Sequence, residues 1–259
     1  MISSLANAAV KRIVLLQSKE KLRRDEGVFI TEGVRMFTEI PRDRLEEVYV
    51  TEDFTDHASQ TIRDMLSETG YELVSDEVMK KMSDTQTPQG VLCTVRAYSY
   101  TIEEIMEKGD LFMVLDGLQD PGNLGTIFRT AEAAGASGVI MSRNTVSIYN
   151  PKSVRSTMGT LFRMPFAYSD DLPSTVRYMT DAGVKVYAAT PDNSVDYSKL
   201  DLTGRCAFVI GNEGAGISKA VIDACEKRIS IPMEGETESL NAAVSAAILL
   251  YESHRQRIS

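Results

Sequence analysis

The stretch Leu111-Phe-Met-Val-Leu115, followed by Asp120-Pro-Gly and Asn123-Leu-Gly-Thr-Ile-Phe-Arg129, decides the fold class of this sequence. A continuous apolar run predicts a strand buried on both faces, as in a parallel sheet covered by helices. The residues that follow predict a turn from the strand into a helix. Because this alternation of strand and helix recurs along the chain, residues 110–259 are expected to form an α/β domain with a parallel sheet.

A smaller α/β domain is expected at residues 1–96, and the polar stretch 97–109 is expected to link the two domains. In the first domain the patterns predict helices at 4–16 and 57–68. They predict strands at 28–30, 47–51 and 90–95. In the second domain the further strands are expected at 138–141, 184–188, 206–210 and 228–231. Its helices are expected at 124–134, 151–160, 172–182, 218–225 and 239–254.

Composition excludes several classes of site. The three cysteines of the 259 residues are far apart, and there are only two histidines. A disulfide framework, a zinc site and a histidine-based triad are therefore not expected, and we predict no metal. No secretory signal is visible, and the longest apolar stretch, 242–251, is too short to span a bilayer. A cytoplasmic protein is expected.

Glycines and polar side chains recur where the predicted strands end. Ile210-Gly-Asn-Glu-Gly-Ala-Gly-Ile217 lacks the lysine of a phosphate loop and does not fit the dinucleotide fingerprint. A tight turn with Glu213 on the surface is an alternative for this segment. Asn123 and Arg129 could be a helix cap and a surface residue, and Ser239 or Asn241 could cap the last helix.

Taken together, three segments resemble the signature motifs of the SPOUT superfamily, in its SpoU or TrmH branch of S-adenosylmethionine-dependent RNA ribose 2′-O-methyltransferases. They are Asn123 to Arg129, Ile210 to Ile217, and Ile231-Pro-Met-Glu-Gly-Glu-Thr-Glu-Ser-Leu-Asn241. The resemblance covers about residues 111–255. The front domain, with Phe29-Ile-Thr-Glu-Gly33, is similar to the family's N-terminal substrate-binding domain.

The resemblance implies a C-terminal domain with a trefoil knot and a homodimer whose active site is completed across the subunit interface. It implies methyl transfer from S-adenosylmethionine to a ribose 2′-hydroxyl of rRNA or tRNA, with rRNA slightly favoured. The cofactor would be bound largely through backbone groups at seven positions: Thr190, Ile210, Gly211, Gly216, Ile231, Met233 and Leu240.

The resemblance also suggests roles for the polar side chains. Arg129 would stabilise the developing alkoxide, since a guanidinium is a poor base. Ser239 and Asn241 would position the hydroxyl, while Asn123 and Glu213 would orient the arginine and the loop. A non-catalytic RNA-binding or assembly protein that retains the fold is the alternative. A small-molecule enzyme that uses the glycine loop is a third reading.

The net charge of −9 disfavours a general nucleic-acid coat protein, which would normally be basic. An RNA enzyme of this charge must gather its basic residues on one face, together with Arg129. A solvated helix face is the alternative for each cluster. The candidates for RNA binding are Lys19, Lys21, Arg23, Arg24, Lys152, Arg155 and Arg163.

Overall fold

The chain divides into two units in the computed structural model, which describes residues 1–191, 194–237 and 239–258. The first unit comprises residues 1–98 and 147–162, and the second comprises residues 99–146 and 163–259. A segment from the middle of the chain therefore packs with the N-terminal residues. The boundaries expected from the sequence, with a linker at 97–109, stay a prediction about which parts fold independently.

The first unit is built on a four-stranded sheet in the order β1-β4-β2-β3. The pairs β1–β4 and β2–β4 are antiparallel, and β2–β3 is parallel. The strands are β1 (Val28–Glu32), β2 (Leu45–Val50), β3 (Glu72–Leu73) and β4 (Val91–Arg96). The helices are α1 (Ala8–Ser18), α2 (Glu20–Glu26), α3 (Val34–Glu39), α4 (Glu52–His57), α5 (Gln60–Thr69), α6 (Asp76–Met82) and α9 (Pro151–Thr157).

In the first unit, capping residues start two helices at positions other than those predicted from the hydrophobic periodicity of the sequence. The Asn7 side chain accepts a hydrogen bond from the Ala9 amide, so α1 begins at Ala8 and not near residue 4. The helix predicted at 57–68 is confirmed as α5, but it begins later, at Gln60. The Ser59 side chain accepts from the Ile62 amide and starts α5, which separates it from α4.

Helix α9 ends earlier than the predicted helix at 151–160. Met158 follows it with φ 53° and Gly159 with φ 98°, which is left-handed backbone and cannot continue the helix. Within the first unit, Arg155 of α9 lies 2.8 Å from Asp84 and 3.8 Å from Glu32. The ion pair with Glu32 joins α9 to β1.

The second unit is built on a seven-stranded sheet in the order β7-β6-β5-β10-β8-β11-β9, and every pair in it is parallel. The strands are β5 (Leu111–Asp116), β6 (Gly138–Ser142), β7 (Phe166–Ser169), β8 (Lys185–Ala189), β9 (Val195–Asp196), β10 (Cys206–Gly211) and β11 (Lys227–Ser230). The helices are α7 (Ile102–Met106), α8 (Pro121–Ala133), α10 (Leu172–Asp181), α11 (Lys219–Ile222) and α12 (Ala242–Ile258).

This sheet confirms the expected fold class, and its central strands explain why the apolar runs predicted it. Residues 111–115 of β5 and 206–209 of β10 are almost completely buried, because helices cover both faces of the sheet. The strands β7 and β9, which have four and two residues, were missed. Runs this short give too little pattern to separate a strand from a loop. The trefoil knot stays a prediction.

The C-terminal helix begins at Ala242 and not at residue 239. The Asn241 side chain accepts hydrogen bonds from the amides of Ala243 and Val244, as a helix N-cap does. None of the helices in the described ranges is long and apolar enough to cross a membrane.

Arg23 is buried rather than exposed, which removes it from the candidate basic surface. Only 5% of the residue is accessible, and its Nη1 atom donates to the carbonyl oxygens of Leu16 and Gln17, at 2.6 and 3.1 Å. Burial lowers the pKa of Arg23, although nearby Glu20 acts in the opposite direction. The guanidinium thus satisfies two carbonyl groups near the end of α1.

Replacing Arg23 with methionine is expected to lower the free energy of unfolding of the first unit by about 1–3 kcal/mol, because two carbonyl groups lose their donor. Arg24→Met is the matched control, since the Arg24 side chain is 69% exposed, and it should change stability by less than about 0.5 kcal/mol. Urea unfolding followed by circular dichroism measures both. Equal effects of the two variants would contradict this role of Arg23.

Candidate active site

The strands that lead into the first two motifs end side by side at the carboxyl edge of the sheet. Strands β5 and β10 are parallel neighbours, and Asp116 at the end of β5 is in register with Gly211 at the end of β10. Ligands of open parallel sheets bind outside this edge. The buried side chain of Asp116 accepts a hydrogen bond of 2.8 Å from the Ser218 amide. Ser218 directly follows the loop of the second motif, residues 211–217, which we call the second loop.

The second loop is closed tightly at its base. Asn212 and Gly216 exchange two backbone hydrogen bonds, of 3.0 and 2.9 Å. A Cβ atom on Gly211 would lie 2.2 Å from the carbonyl carbon of Gly216, so only glycine fits there. Gly216 itself has φ +71°, which also favours glycine. The glycines therefore shape a narrow backbone loop.

The Glu213 carboxylate connects the second loop to the start of α8. Its oxygens accept hydrogen bonds, each of 3.0 Å, from the amides of Gln119 and Asp120 and from Nδ2 of Asn123. Partial burial by itself raises the pKa of Glu213. The hydrogen bonds from Asn123, Gln119 and Asp120 outweigh that effect, so the pKa lies below its ordinary value. Glu213 is therefore held as an acceptor and is a poor general base.

Asn123 and Asn241 bring the third motif to the same place. Nδ2 of Asn241 donates to Oδ1 of Asn123 at 3.0 Å, while Asn241 Oδ1 caps α12. Since Asn123 donates in turn to Glu213, a chain of hydrogen bonds runs from Asn241 through Asn123 to Glu213. The structure thus joins one residue from each motif. It describes the third motif except for Glu238.

Arg129 and Ser239 are placed differently from these three residues. Both are exposed. Within residues 1–191, 194–237 and 239–258, neither side chain forms a hydrogen bond or an ion pair. Two of the five predicted catalytic side chains are thus free to meet a ligand, whereas Asn123, Glu213 and Asn241 are engaged with one another.

The candidate cofactor positions follow three neighbouring strands. Thr190 comes directly after β8, Ile231 comes directly after β11, and Gly211 ends β10, which lies beside β8. The Thr190 amide donates to the Ile229 carbonyl at 2.9 Å, which ties the ends of β8 and β11 together. Ile210 is buried in the sheet.

Gly216, Met233 and Leu240 lie in the loops after these strands. Gly216 is the residue that closes the second loop, Met233 is 38% exposed, and Leu240 is half-buried beside the cap of α12. These candidate positions thus offer backbone groups and apolar side chains. Within the described residues, no group of three or more His, Cys, Asp or Glu residues could hold a metal ion.

The candidate RNA-binding residues differ in their exposure and in the acidic residues near them, and Arg24 lies 4.0 Å from Asp25. Lys19, Lys21, Arg24 and Lys152, all in the first unit, are exposed. Arg155 is engaged with Asp84, and Arg163 of the second unit forms an ion pair with Glu132. Pairing with a carboxylate reduces the charge that an arginine offers to a phosphate.

Sequence reasoning missed the residues that join the loops. Asn212 donates from Nδ2 to the carbonyl of Gly117 at 2.9 Å, and Gln119 donates from Nε2 to the carbonyl of Asn144 at 2.6 Å. Asp120 accepts from the Asn123 amide at 2.7 Å and caps α8. Only the Asp120 cap could have been found, because an aspartate ahead of Pro121 is a known helix start.

Comparison with known proteins gives matches over nearly the whole chain. Residues 110–251 match the family model described as SpoU rRNA Methylase family, and residues 7–93 match the MRM3-like substrate binding domain. The chain is 32% identical over 254 residues to the 23S rRNA (guanosine(2553)-2′-O)-methyltransferase RlmP of Bacillus subtilis strain 168. That match covers 96% of this chain and 97% of the relative.

Solved structures of similar proteins contain the expected cofactor. An AdoMet-bound rRNA methyltransferase from Sinorhizobium meliloti matches with a TM-score of 0.87 at 29% identity, over 100% of this chain and 98% of that one. The SpoU methyltransferase AviRb from Streptomyces viridochromogenes, in complex with AdoMet, matches with a TM-score of 0.87 at 28% identity. That match covers 98% of this chain and 99% of AviRb. These matches confirm the resemblance, the enzyme class and S-adenosylmethionine as cofactor.

The low pKa of Glu213 makes the contact between the loops sensitive to acid. Because the folded pKa lies below the ordinary value of 4.5, the carboxylate stabilises the fold above that value, and this contribution is lost as the pH falls through the folded pKa. Glu213→Gln should be less stable than the natural chain at about pH 7, and the difference should shrink as the pH falls below 4.5 and through the folded pKa.

Urea unfolding at a series of pH values measures that difference. Glu107→Gln is the control, because Glu107 is also exposed in the second unit but lies outside this network. A stability difference for Glu213→Gln that is independent of pH would rule out a stabilising carboxylate at this position.

Proposed function

We propose that this chain, which belongs to the SpoU rRNA methylase family, methylates a ribose 2′-hydroxyl of 23S ribosomal RNA. The support for that RNA is the similarity to RlmP, which extends over both units. It agrees with the match of residues 7–93 to a substrate-binding domain. The single observation that supports catalysis best is the hydrogen-bonded chain Asn241–Asn123–Glu213, which joins all three motifs.

The described residues fit S-adenosylmethionine. The adenosine part needs directed backbone hydrogen bonds and an apolar slot, and the adjacent ends of β8, β10 and β11 supply both kinds of surface. The close approach at Gly211 leaves backbone, and no side chain, at the bend of the loop. When bound, the cofactor supplies an electrophilic methyl group on a sulfonium.

Arg129 is the residue to which we assign charge stabilisation. A ribose hydroxyl is a very weak acid, so its attack requires help for the negative charge that develops on the oxygen. A guanidinium remains protonated and can stabilise that charge or hold a neighbouring phosphate. Arg129 is exposed and has no partner in the described ranges, which suits a group that meets its ligand only when RNA binds.

The other polar residues have positioning roles in this proposal. Asn123, Glu213 and Asn241 hold the first turn of α8 and the start of α12 against the second loop. From the sequence, Asn241 was expected to position the ribose hydroxyl together with Ser239. Its Nδ2 and Oδ1 atoms are instead engaged with Asn123 and with the cap of α12. Ser239 has no such bond within the described residues, so we assign it the hydroxyl-positioning role.

The first unit is the better candidate for RNA binding. Most of the net negative charge of the chain lies in the second unit, while basic and acidic residues nearly balance in the first. The exposed cations Lys19, Lys21, Arg24 and Lys152 all belong to the first unit. A cytoplasmic location follows from an RNA substrate of this kind.

A homodimer is part of the same proposal, and one face of α12 supports it. Val244, Ile248 and Tyr251 recur at spacings of four and three residues, so they share one face of the helix. Val244 and Tyr251 are 46% and 48% exposed, and an apolar row of this kind suits contact with a second copy. The same helix begins at Asn241, which would place the interface beside the site.

Replacing Arg129 with alanine should reduce methyl transfer at least 100-fold, on the order of the loss of one transition-state donor. The affinity for S-adenosylmethionine should change little. Incorporation of labelled methyl into 23S rRNA and calorimetric titration measure the two quantities. Arg177→Ala, at an exposed arginine of α10, is the control. Unchanged turnover of Arg129→Ala would remove the residue from the mechanism, and a natural chain without activity on any RNA would favour a non-catalytic RNA-binding role.

Replacing Tyr251 with glutamate should convert the dimer to a monomer, because a charge would be buried in an apolar contact. Tyr178→Glu is matched in chemistry and exposure, since Tyr178 is 44% exposed on α10, and it should leave the dimer intact. Sedimentation equilibrium distinguishes the two species. A monomeric natural chain, or a dimeric Tyr251→Glu variant, would contradict this interface.

A further inference from the structure

The side chain of Asn212 forms hydrogen bonds in two directions. Its Oδ1 atom accepts from the amides of Gly214 and Ala215, at 2.9 and 2.8 Å. Its Nδ2 atom donates to the carbonyl oxygen of Gly117, at 2.9 Å. An asparagine has an acceptor and a donor on one short planar group, so it can satisfy both sets of partners at once.

The acceptor bonds act within the second loop. The backbone of Asn212 pairs with Gly216 and closes the base of the loop, and Gly211 is packed against Gly216. Gly214 and Ala215 form the tip, and their amides both point to Oδ1 of Asn212. The oxygen thus satisfies the tip amides and fixes the shape of the loop that we assign to the cofactor.

The donor bond acts between the loops. Gly117 follows β5, and its carbonyl also accepts from Gln119 Nε2, while its amide donates to Ser142 Oγ at 2.8 Å. Glu213, the next residue after Asn212, holds the amides of Gln119 and Asp120. Two consecutive residues of the second loop therefore hold two points of the segment that leads into α8, the helix that carries Arg129.

We propose that Asn212 is a positioning residue with two separable effects. Oδ1 shapes the second loop for binding of S-adenosylmethionine, and Nδ2 sets the position of that loop relative to the segment before α8. The bound cofactor and Arg129 are thereby placed correctly relative to each other for methyl transfer. The inference rests on the proposed function, and it adds a residue to which no role had been assigned.

Two substitutions separate the effects. Asn212→Asp keeps an acceptor for the amides of Gly214 and Ala215 but turns the donor into a second acceptor, which repels the carbonyl of Gly117. We expect its dissociation constant for S-adenosylmethionine to change less than about threefold and its kcat to fall at least about tenfold. Asn212→Ala loses both sets of bonds and should also weaken cofactor binding about tenfold.

The measurements are calorimetric titration with S-adenosylmethionine and the kcat and KM of methyl transfer to 23S rRNA. Asn7→Asp is the control, because it adds the same charge at the cap of α1, where an aspartate serves equally well. It should leave both quantities unchanged. Thermal unfolding of each variant verifies that the comparison is made on folded protein.

The proposal is overturned if Asn212→Asp keeps the natural kcat, or if it loses cofactor affinity as fully as Asn212→Ala does. The titration does not depend on the RNA. If the natural chain proves inactive on 23S rRNA, the proposed substrate fails, and the different cofactor affinities of the two variants still decide the effect of Oδ1. Equal cofactor affinities of Asn212→Asp and Asn212→Ala would then overturn the role of Oδ1 as well.

Discussion

The parallel pairing of β5 with β10 is the constraint on which the rest of the candidate site depends. It sets Asp116 and Gly211 side by side, so two loops that are nearly a hundred residues apart in sequence leave the sheet at the same point. Short polar side chains can then reach across. Asp116, Asn212 and Glu213 each bond to backbone of the opposite loop, and this is possible only because the register of the two strands is fixed.

The sequence was sufficient for the parallel α/β class of the second unit and for the identity of the motifs, because long apolar runs and glycines constrain the backbone directly. The sequence was insufficient where contacts between distant parts of the chain determine the local structure. The strand Phe166–Ser169 has only four residues and is a strand because β6 lies beside it. The hydrogen bonds of Asn212 to Gly117 and of Gln119 to Asn144 each depend on a neighbouring loop, which no local pattern contains.

The basic residues show even more clearly that a local sequence pattern does not reveal tertiary contacts. Arg23 and Arg24 are adjacent in the sequence and identical in type, yet one is buried against the end of α1 and the other is exposed. Arg155 and Arg163 were both candidates for RNA binding, and both are engaged with carboxylates. Whether a cation is available to a phosphate depends on its acidic neighbours in space, and these come from distant parts of the chain.

The membership of residues 147–162 in the first unit has a consequence for synthesis on the ribosome. Domains usually fold from the N-terminus as they emerge. Here the first unit lacks α9 until residue 162 has left the ribosome, and β5 and β6 emerge before then. Until then, the surface of β1 that contacts α9 is uncovered, while β5 and β6 of the parallel sheet have already been synthesised. Completion of the two units is thus interleaved in time, and a chain cut after residue 98 would lack part of its own fold.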